Sequence, residues 1–465
     1  MKLFEYYFPY NMCYSYRLLL VVSWLGAFVN TYTWVPLFPK KSFVTTAGPR
    51  KLKLLNKEYV VWNHNDTIVV QDNICLHRCA PLSEGYIDDN SGCLRCSYHG
   101  WEFTKDGSLK TIPQEIQSNR KMSKSTSNNE PQRRPRLRTY NTACYGGLVW
   151  VNIGSTLENT KQLPQNVFHV NIDDACEDIL MKDVPYSMTT LLENLFDPSH
   201  IPYAHHKLQS DRSMGSEVNS SLIYSNREGF SVLFSDRSVN KKQTRTGSLS
   251  FHAPFHYVLT SMYPHTDFTK LHVFCVPIDK DTTRLFVQQE LRAGLFRDIY
   301  TRLPGWIKHS VTQTFFDSDT LLLHYQEAHL RSRNQGSMRN TTRFFCIPNY
   351  SDYSVELFHQ WKQEFPPEWV SLVESGIDLT NVKEKSRNEI LDREFTHTQY
   401  CDSCTNALVR IRRTKQLLPW ITIFLFSVDI GFRSSVWVLQ CGILYLILQY
   451  TETFFVYRNY RHHDV

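Results

Sequence analysis

Alternating apolar and polar residues fill much of the first third of the chain. The short runs 59–62 and 67–70 are rich in valine and aromatic residues, which is typical of strands buried on one face. The run 146–152 begins with two glycines and predicts a returning strand. Between these runs, residues 117–138 are rich in Ser, Asn, Pro and basic side chains, so we expect a solvated loop inserted into a β-rich domain.

The middle of the chain combines strand and helix patterns. Three alternating runs predict a sheet, and a run with apolar residues at helical spacing predicts a long helix. Two further helical runs follow and carry no candidate chemistry. This order predicts an α+β domain. The predicted strands are 228–234, 251–263 and 271–290, the long helix is 314–330, and the two further helices are 361–379 and 381–393.

Apolar runs lie at both ends of the chain. Residues 18–28 are apolar, follow Arg17 and end near two small residues, which predicts a signal or targeting segment; the alternative is a buried N-terminal helix. Near the C-terminus, the runs 417–426 and 436–450 are each short for a membrane span, whose lower limit is about 17 residues. Basic residues flank the pair, so we predict a membrane hairpin with both ends on one side, with a core helical pair as the alternative.

Length, charge and cysteine content narrow the class of protein. At 465 residues the chain has room for two or three domains. The net charge of +6 gives no case for nucleic-acid binding but is compatible with an anionic membrane surface. Twelve cysteines occur without a regular framework, which argues against a disulfide-stapled secreted protein. The predicted segments are targeting 1–33, β-rich domain 34–160, α+β domain 161–400, linker 401–416 and membrane hairpin 417–458.

Two cysteine–histidine pairs lie in the β-rich domain. Cys75 and His77 form a Cys-x-His pair, and Cys96 and His99 form a Cys-x2-His pair. Zinc accepts two thiolates and two imidazoles, but a Rieske [2Fe-2S] cluster needs the same set, with the thiolates on one iron and the imidazoles on the other. Because each arm here carries one Cys and one His, the pattern favours the cluster over a zinc finger.

A second group of candidate ligands lies in the α+β domain. Asp197, His200 and His205 follow a D-x2-H-x4-H spacing. Two imidazoles at this spacing, with one carboxylate from elsewhere, make a facial triad that leaves coordination positions on ferrous iron open. His206 is an alternative to His205. The other interpretation is that these histidines are satisfied core residues.

Three motifs resemble a known family. Residues 75–78, 80–85 and 96–101 resemble the Rieske domain of the pheophorbide a oxygenase group, plastid membrane oxygenases that act on tetrapyrroles. Leu76 departs from the pattern, since relatives usually carry Pro there. Cys79 and Cys93 are additional cysteines, which we interpret as small buried apolar residues, with a disulfide as the alternative.

The resemblance implies a set of structures and roles. It implies a helix-grip (Bet v 1/START-like) catalytic domain and a mononuclear Fe(II) with Asp319 as its third ligand. Asp317 is the alternative ligand, and the other interpretation of Asp317 is a helix N-cap. Asp197 is implied to bridge a Rieske histidine and an iron-ligating histidine across a subunit boundary, in a head-to-tail homotrimer. A ferredoxin or similar one-electron donor is implied as partner.

Cys401 and Cys404 form a Cys-x2-Cys motif outside any βαβ pattern, so a thioredoxin fold is not implied. The pheophorbide a oxygenase group carries such a motif before its membrane segment. A reversible redox switch is one interpretation, and a silent pair is the other.

Together these features predict a Rieske non-haem iron oxygenase in a plastid membrane, envelope or thylakoid. It would use ferredoxin electrons and O2 to oxygenate a chlorophyll-derived tetrapyrrole. The alternatives are a chlorophyllide, protochlorophyllide or phyllobilin hydroxylase, or a non-catalytic Rieske redox component of a plastid translocon.

Overall fold

The computed structural model describes most of the chain from Trp34 to His462. The described ranges are 34–43, 48–116, 135–154, 178–240, 243–263, 266–291, 295–338, 341–346, 350–367, 369–370, 373, 385–428 and 432–462. The expected targeting segment, most of the expected loop 117–138 and the predicted boundary near residue 160 lie outside these ranges. The division into domains therefore stays a prediction.

The first part of the described chain forms three small antiparallel sheets. Their strand orders are β1-β11-β10, β2-β3-β4-β9 and β5-β6-β7-β8. The strands are β1 (Trp34–Pro39), β2 (Arg50–Leu54), β3 (Lys57–His64), β4 (Thr67–Asp72), β5 (Tyr86–Ile87), β6 (Leu94–Arg95), β7 (Glu102–Phe103), β8 (Leu109–Thr111), β9 (Thr139–Tyr140), β10 (Thr142–Tyr145) and β11 (Leu148–Asn152), followed in the next domain by β12 (Leu180–Val184).

Two-residue turns fix the register of β2, β3 and β4. Leu55 and Asn56 join β2 to β3 with φ of 48° and 61°, and Asn65 and Asp66 join β3 to β4 with φ of 48° and 63°. Positive φ at both central residues matches the twist of a tight hairpin, and Asn and Asp adopt it at low cost. These turns give β3 a fixed pairing with both neighbours.

The alternation along β3 separates two cores. Val60 and Trp62 pack with Cys75 and Cys96 in a small core beneath the cysteine loops. Tyr59 and Val61 point to the other face and join the main core of the molecule. A strand whose successive side chains face opposite sides can link two packed layers in this way. The β-rich domain predicted from the sequence is confirmed.

A seven-stranded antiparallel sheet dominates the rest of the chain. Its order is β12-β18-β17-β16-β15-β14-β13, so β13 to β18 form a meander and β12 joins its last strand. The added strands are β13 (Asn219–Asn226), β14 (Gly229–Asn240), β15 (Gln243–His252), β16 (His256–Tyr263), β17 (Thr266–Asp279) and β18 (Thr282–Leu291). Each of the predicted runs 251–263 and 271–290 crosses a turn and therefore contains parts of two strands.

Ten α-helices with described bounds accompany the sheets, besides several 3-10 turns and the helical residues 369–370 and 373. They are α1 (Pro113–Ile116), α2 (Met188–Leu195), α3 (Ile201–Ala204), α4 (Leu295–Arg302), α5 (Gly305–Arg333), α6 (Tyr353–Glu364), α7 (Arg387–Ile390), α8 (Arg393–Thr396), α9 (Asp402–Val428) and α10 (Phe432–Thr453). The predicted long helix 314–330 is confirmed and extends further at both ends. The α+β class with a β-rich first part is confirmed, whereas the helix-grip assignment stays a prediction.

Two of the predicted helices have different bounds. The expected helix 361–379 contains the end of α6, which stops at Glu364, and the helical residues 369–370 and 373, while residues 374–379 lie outside the described ranges. The expected helix 381–393 is replaced by the short helices α7 and α8. Ser386 and Glu389 form a capping box at the start of α7, and Asp392 caps α8 by accepting from the Phe395 N–H. Two caps so close together start two helices instead of one.

Helices α9 and α10 form the antiparallel pair expected near the C-terminus. Many apolar side chains on both helices are exposed, including Trp420, Phe424 and Leu446. Arg412 and Lys415 on α9 both pair with Glu452 on α10, at 2.9 Å and 2.7 Å. Within the described residues, no helix combines the length and apolar character that a bilayer crossing requires. The transmembrane part of the predicted hairpin is therefore not supported.

Helix α5 is held in place by buried charges. The Asp317 carboxylate accepts hydrogen bonds from Lys182 on β12 at 3.1 Å and from Arg393 on α8 at 2.7 Å. All three residues are at most 2% exposed. Because a buried charge without a partner is costly, this trio fixes α5 against the sheet and against the C-terminal segment.

Substitution of Asp317 tests this arrangement. Asp317→Ala removes the carboxylate partner of two buried cations, Lys182 and Arg393, and should lower the free energy of unfolding by about 3–5 kcal/mol. The midpoint of denaturant unfolding measures the change. Lys51→Ala removes a solvent-exposed partner of Glu58 and should cost no more than about 1 kcal/mol. Equal midpoints for the two variants would contradict the role assigned to Asp317.

Candidate metal centres and active site

Two loops with the same backbone hydrogen bonds carry the first set of candidate ligands. In each loop the Cys N–H donates to the carbonyl five residues on, and the Cys carbonyl accepts from the N–H four residues on. The residue before the end of each loop, Cys79 or Gly100, has a positive φ of 57° or 75°. In the first loop, the Cys75 N–H donates to the Ala80 carbonyl and the Cys79 N–H to the Cys75 carbonyl. In the second, the Cys96 N–H donates to the Trp101 carbonyl and the Gly100 N–H to the Cys96 carbonyl. All four bonds are 2.8–2.9 Å long.

The paired loops bring two thiols and two imidazoles together. Cys75 and Cys96 are buried, and burial raises the pKa of the Cys75 thiol to about 11. The rings of His77 and His99 lie 4.5 Å apart, centroid to centroid. His77 Nδ1 is buried and has no hydrogen-bond partner within the described chain. A buried imidazole nitrogen without a partner fits a metal ligand, and two thiols with two imidazoles are the ligand set of a Rieske cluster.

The surface around these loops is partly apolar. Ile74, Leu76 and Tyr98 are exposed, and the His77 ring stacks on Trp101 at 4.7 Å. Cys79 is also exposed, so its interpretation as a small buried residue is wrong; the positive φ places it on the outside of the turn. Cys93 is buried, and both cysteines are free thiols, so the alternative of a disulfide is not seen either.

The second site joins a short irregular segment to α5. His200 ends a 3-10 turn that starts at Asp197, His205 follows α3, and Asp319 projects from α5. His200 Nε2 lies 3.3 Å from His205 Nε2, and Asp319 Oδ2 lies 3.4 Å from His205 Nε2 and 4.0 Å from His200 Nε2. Ligands of one ion at about 2.1 Å in adjacent positions lie about 3 Å apart, so this set suits a facial triad.

Hydrogen bonds on the far side of each ring orient both imidazoles. His200 Nδ1 contacts the Asp197 carbonyl, which has only lone pairs, so Nδ1 carries the proton. Ser318 Oγ donates to the Phe315 carbonyl at 2.6 Å and therefore accepts from His205 Nδ1 at 2.7 Å. Both rings consequently present an unprotonated Nε2 to Asp319. Such outer partners fix tautomer and orientation in metal sites.

Burial sets the protonation of this group. It raises the pKa of Asp319 to about 6, an effect that Asp197 adds to and His200 opposes. Burial also lowers the pKa of His205 to about 3, with a further contribution from His200. A neutral imidazole is the form that binds a metal, and a divalent cation would stabilise the buried carboxylate.

The alternative ligands lie elsewhere. Asp317 points away into its contacts with Lys182 and Arg393. His206 Nδ1 accepts from the Arg212 N–H at 3.2 Å and lies 3.3 Å from Asp211. Neither belongs to the group of His200, His205 and Asp319, whose ligand atoms all lie within 4.8 Å of one another.

Asp197 contributes to the second site through both its backbone and its side chain. Its carbonyl holds His200, and its carboxylate accepts from the Ser199 N–H at 2.8 Å and from the Ser199 hydroxyl. The side chain is half-buried. It therefore sits beside the candidate metal ligands without being one of them.

Two cavities meet at this site. Both are lined by Asn194, Asp197, His200 and Asp319. One, of about 430 Å³, extends along the sheet and has mainly apolar and aromatic walls. The other, of about 600 Å³, is also lined by polar and charged residues of α5, namely Gln326, His329 and Arg333. The apolar walls of the smaller cavity include Phe234, Leu249, Tyr257, Leu259, Leu271, Val287, Phe315 and Phe316.

The sequence analysis missed Ser318. A serine next to a candidate ligand gives no signal by itself, because its role depends on a histidine far away in the chain. The only available indication was the run 317–319, in which two acidic residues flank the serine.

Comparisons with known proteins bear on these sites. Residues 33–135 match the Rieske [2Fe-2S] domain family, and residues 251–337 match the pheophorbide a oxygenase family. The chain is 28% identical to pheophorbide a oxygenase of Arabidopsis thaliana, over 90% of this chain and 81% of that protein. It is 27% identical to flavonoid 8-hydroxylase 2 of Ocimum basilicum, over 78% of this chain and 71% of that protein. Both relatives are chloroplastic by name.

Solved structures share the fold. Dicamba monooxygenase superposes with a TM-score of 0.53 at 16% identity, over 74% of this chain and 98% of that one. NdmB of Pseudomonas putida superposes with a TM-score of 0.51 at 18% identity, over 76% of this chain and 96% of that one. The recognition made from the sequence is confirmed, and the cofactors of such a chain are a Rieske [2Fe-2S] cluster and a mononuclear iron.

The contact between Ser318 and His205 can be tested by substitution. Ser318→Ala removes the acceptor of the His205 Nδ1 proton and should lower iron affinity about 10–100-fold. Iron content after dialysis against graded chelator measures this. Asp319→Ala should lose the mononuclear iron altogether, while the Rieske signal of both variants stays intact. Ser310→Ala, at another buried serine of α5, is the matched control. Unchanged iron retention in Ser318→Ala would contradict the proposed orientation of His205.

Proposed function

We propose that this chain, a Rieske-type oxygenase similar to the pheophorbide a oxygenases, inserts oxygen from O2 into a chlorophyll-derived tetrapyrrole with electrons from a ferredoxin. The observation that carries the proposal is the convergence of His200, His205 and Asp319 at the end of an apolar cavity. A flat apolar ring fits walls of this kind, and a few polar groups fix orientation.

The residues of the chain have distinct tasks in this reaction. His200, His205 and Asp319 would hold the iron on one face and leave its other face for O2 and substrate. The iron, when bound, activates O2, and the cluster supplies single electrons. Ser318 and the Asp197 carbonyl keep both imidazoles in the ligating tautomer. Phe315 and Phe316 on α5, with the sheet residues opposite, exclude water from the cavity.

Polar groups at the cavity offer contacts for a substrate with acidic side arms. Arg245 and Lys308 both line it. Arg245 is held by Asp236, with its Nε 3.0 Å from the carboxylate, and Lys308 is held by Asp178. Cations that are already oriented by acidic partners can bind a carboxylate without first losing side-chain freedom.

Electron transfer is proposed to involve a second copy of the chain. The larger cavity opens beside Asp197, and the exposed apolar residues Ile74, Leu76 and Tyr98 surround the cluster loops. Docking of these loops against Asp197 of a neighbouring copy would put cluster and iron in contact through that carboxylate, as a head-to-tail homotrimer requires. Cys75, His77, Cys96 and His99 remain the proposed cluster ligands.

The intact triad speaks against a purely electron-carrying role. A Rieske redox component needs the cluster loops but has no use for His200, His205 and Asp319. Here these three side chains retain the geometry, the tautomers and the cavity that an oxygenase needs. Oxygenation of a chlorophyllide or phyllobilin would use the same site, so substrate choice is decided by experiment.

The substrate proposal is tested with isotopic oxygen. Full-length protein loaded anaerobically with iron, given reduced ferredoxin and labelled O2, should incorporate label into pheophorbide a or a close relative, measured by mass spectrometry of the pigments. The panel includes chlorophyllide, protochlorophyllide, a phyllobilin and a flavone, because one relative is named a flavonoid hydroxylase. Label found only in the flavone would show that the substrate is a flavonoid and not a tetrapyrrole. Label in no compound, while the cluster reoxidises normally, would favour the electron carrier.

Asp197→Asn serves as the internal control of this assay. The variant should load both metal centres and accept electrons at the cluster, because neither role needs its charge, while label incorporation collapses. Oxygenation near the wild-type level would show that Asp197 is not part of the electron-transfer path.

A plastid membrane is the proposed location. The curated relatives named above are chloroplast proteins, and α9 and α10 expose Trp420 at 71%, Phe424 at 65% and Leu446 at 66%. Contiguous exposed apolar side chains beside basic residues suit contact with a lipid surface. An apolar ring would reach the enzyme from the same lipid phase.

Vesicle flotation measures this association. Full-length protein should float with vesicles of plastid-like anionic lipid composition, whereas Trp420→Ser combined with Phe424→Ser should shift most of the protein to the bottom fraction, because the contact area is apolar. The exposed substitution Tyr350→Ser, far from α9 and α10 in sequence, is the control. Equal flotation of the three proteins would contradict lipid contact through this surface.

A further inference from the structure

Four metal-ligating side chains converge at a third place, and none of them belongs to the two ligand sets above. They are His309 on α5, His397 after α8, Cys401 before α9 and Cys404 in the first turn of α9. All are buried, with exposures of 5%, 0%, 9% and 1%. One ligand atom from each lies within 4.8 Å of all the others. The sequence analysis singled out the two cysteines but neither histidine.

The distances match the edges of a tetrahedron. His309 Nδ1 lies 3.3 Å from Cys401 Sγ and 3.7 Å from Cys404 Sγ, and His397 Nε2 lies 3.3 Å from Cys404 Sγ. With Zn–S of about 2.3 Å and Zn–N of about 2.0–2.1 Å, tetrahedral geometry separates sulfur from nitrogen by about 3.5 Å. These are three of the six distances between the ligand atoms, and the other three are also within 4.8 Å, so the set suits a single tetrahedral ion.

The outer contacts orient the site. His397 Nδ1 contacts the Met181 carbonyl at 2.6 Å, and a carbonyl can only accept, so Nδ1 carries the proton. The lone pair of His397 is therefore on Nε2, the atom that faces Cys404. This is the arrangement that second partners impose on metal-bound histidines. The two cysteines are free thiols and not a disulfide.

We propose that His309, His397, Cys401 and Cys404 bind a structural zinc ion. Four protein ligands with two sulfurs and two nitrogens make a closed tetrahedral site, which zinc prefers and which leaves no position for substrate. Binding converts both thiols to thiolates and releases two protons to solvent. A Cys-x2-Cys pair with a His four residues before its first Cys is a sequence signal for such a site, but His309 is too distant in the chain to be recognised.

The location gives the ion a mechanical role. It would join α5, which carries Asp319, to the start of α9, which leads into the exposed helical pair. His309 also lines the apolar cavity, so loss of the ion would disturb one wall of it. A zinc-bound pair is an alternative to the redox-switch interpretation of Cys401 and Cys404, because two sulfurs that form a disulfide cannot ligate the ion at the same time.

Metal analysis of the full chain tests the proposal. Protein purified anaerobically with an intact Rieske signal should contain about one zinc per chain in addition to its iron. X-ray absorption at the zinc edge should show two sulfurs at about 2.3 Å and two nitrogens at about 2.0–2.1 Å. Protein that has the Rieske signal but neither contains zinc nor takes up one equivalent on addition would overturn the proposal. So would a disulfide between Cys401 and Cys404 in that protein.

Variants separate this ion from metal bound elsewhere. Cys404→Ala should lose the zinc, and Cys404→His should keep it with one sulfur fewer in the absorption spectrum, so that a folding defect of the first variant does not decide the outcome. Cys75→Ala should lose the cluster and keep the zinc. Cys144→Ala and Cys346→Ala, at exposed cysteines, are the controls and should keep both. Zinc retained with two sulfurs in Cys404→Ala and Cys404→His would overturn the ligand assignment.

Discussion

The desolvation of charged groups on α5 is the constraint on which the rest of the structure depends. Asp317, Glu327 and Arg331 are all nearly inaccessible to solvent, and each is costly to bury without a partner. The partners come from separate parts of the chain: Lys182 from β12 and Arg393 from α8 for Asp317, and the start of α2 for Glu327. These partners fix the position of the helix, because all three charges are paired only there.

Glu327 shows how this constraint reaches the iron site. Its carboxylate accepts from the Ser187 N–H at 2.8 Å and the Ser187 hydroxyl at 2.7 Å, at the N-terminus of α2. That helix leads directly into Asp197 and His200. The same helix α5 thus places Asp319 directly and His200 through α2, which explains how a triad drawn from two segments keeps its spacing. Arg331 in turn binds Glu327 at 2.8 Å and completes its set of partners.

Local motifs could be predicted from the sequence, and distant partners could not. Cys75, His77, Cys96 and His99 carry their spacing within a short stretch, and the structure brings their loops together. Asp319 was preferred over Asp317 only by resemblance, because the choice rests on Lys182 and Arg393, which no local pattern connects to either. The same applies to Ser318 and to His309. The predicted helix bounds were wrong near residue 390 for a different reason. Ser386 and Asp392 both cap short helices, and the spacing of apolar residues alone does not reveal the break between them.

The position of Arg393 has a consequence for biogenesis. Asp317 finds its second cation only when the chain has been synthesised 76 residues further, and that cation is itself held by the carbonyl of Phe454, close to the C-terminus. On the ribosome, the sheet and α5 are made while a buried carboxylate still lacks half of its charge compensation. The packing of α5 can therefore be completed only once the chain has been made as far as Phe454, so a nascent chain that ends before Arg393 would carry Asp317 with one of its two cations missing.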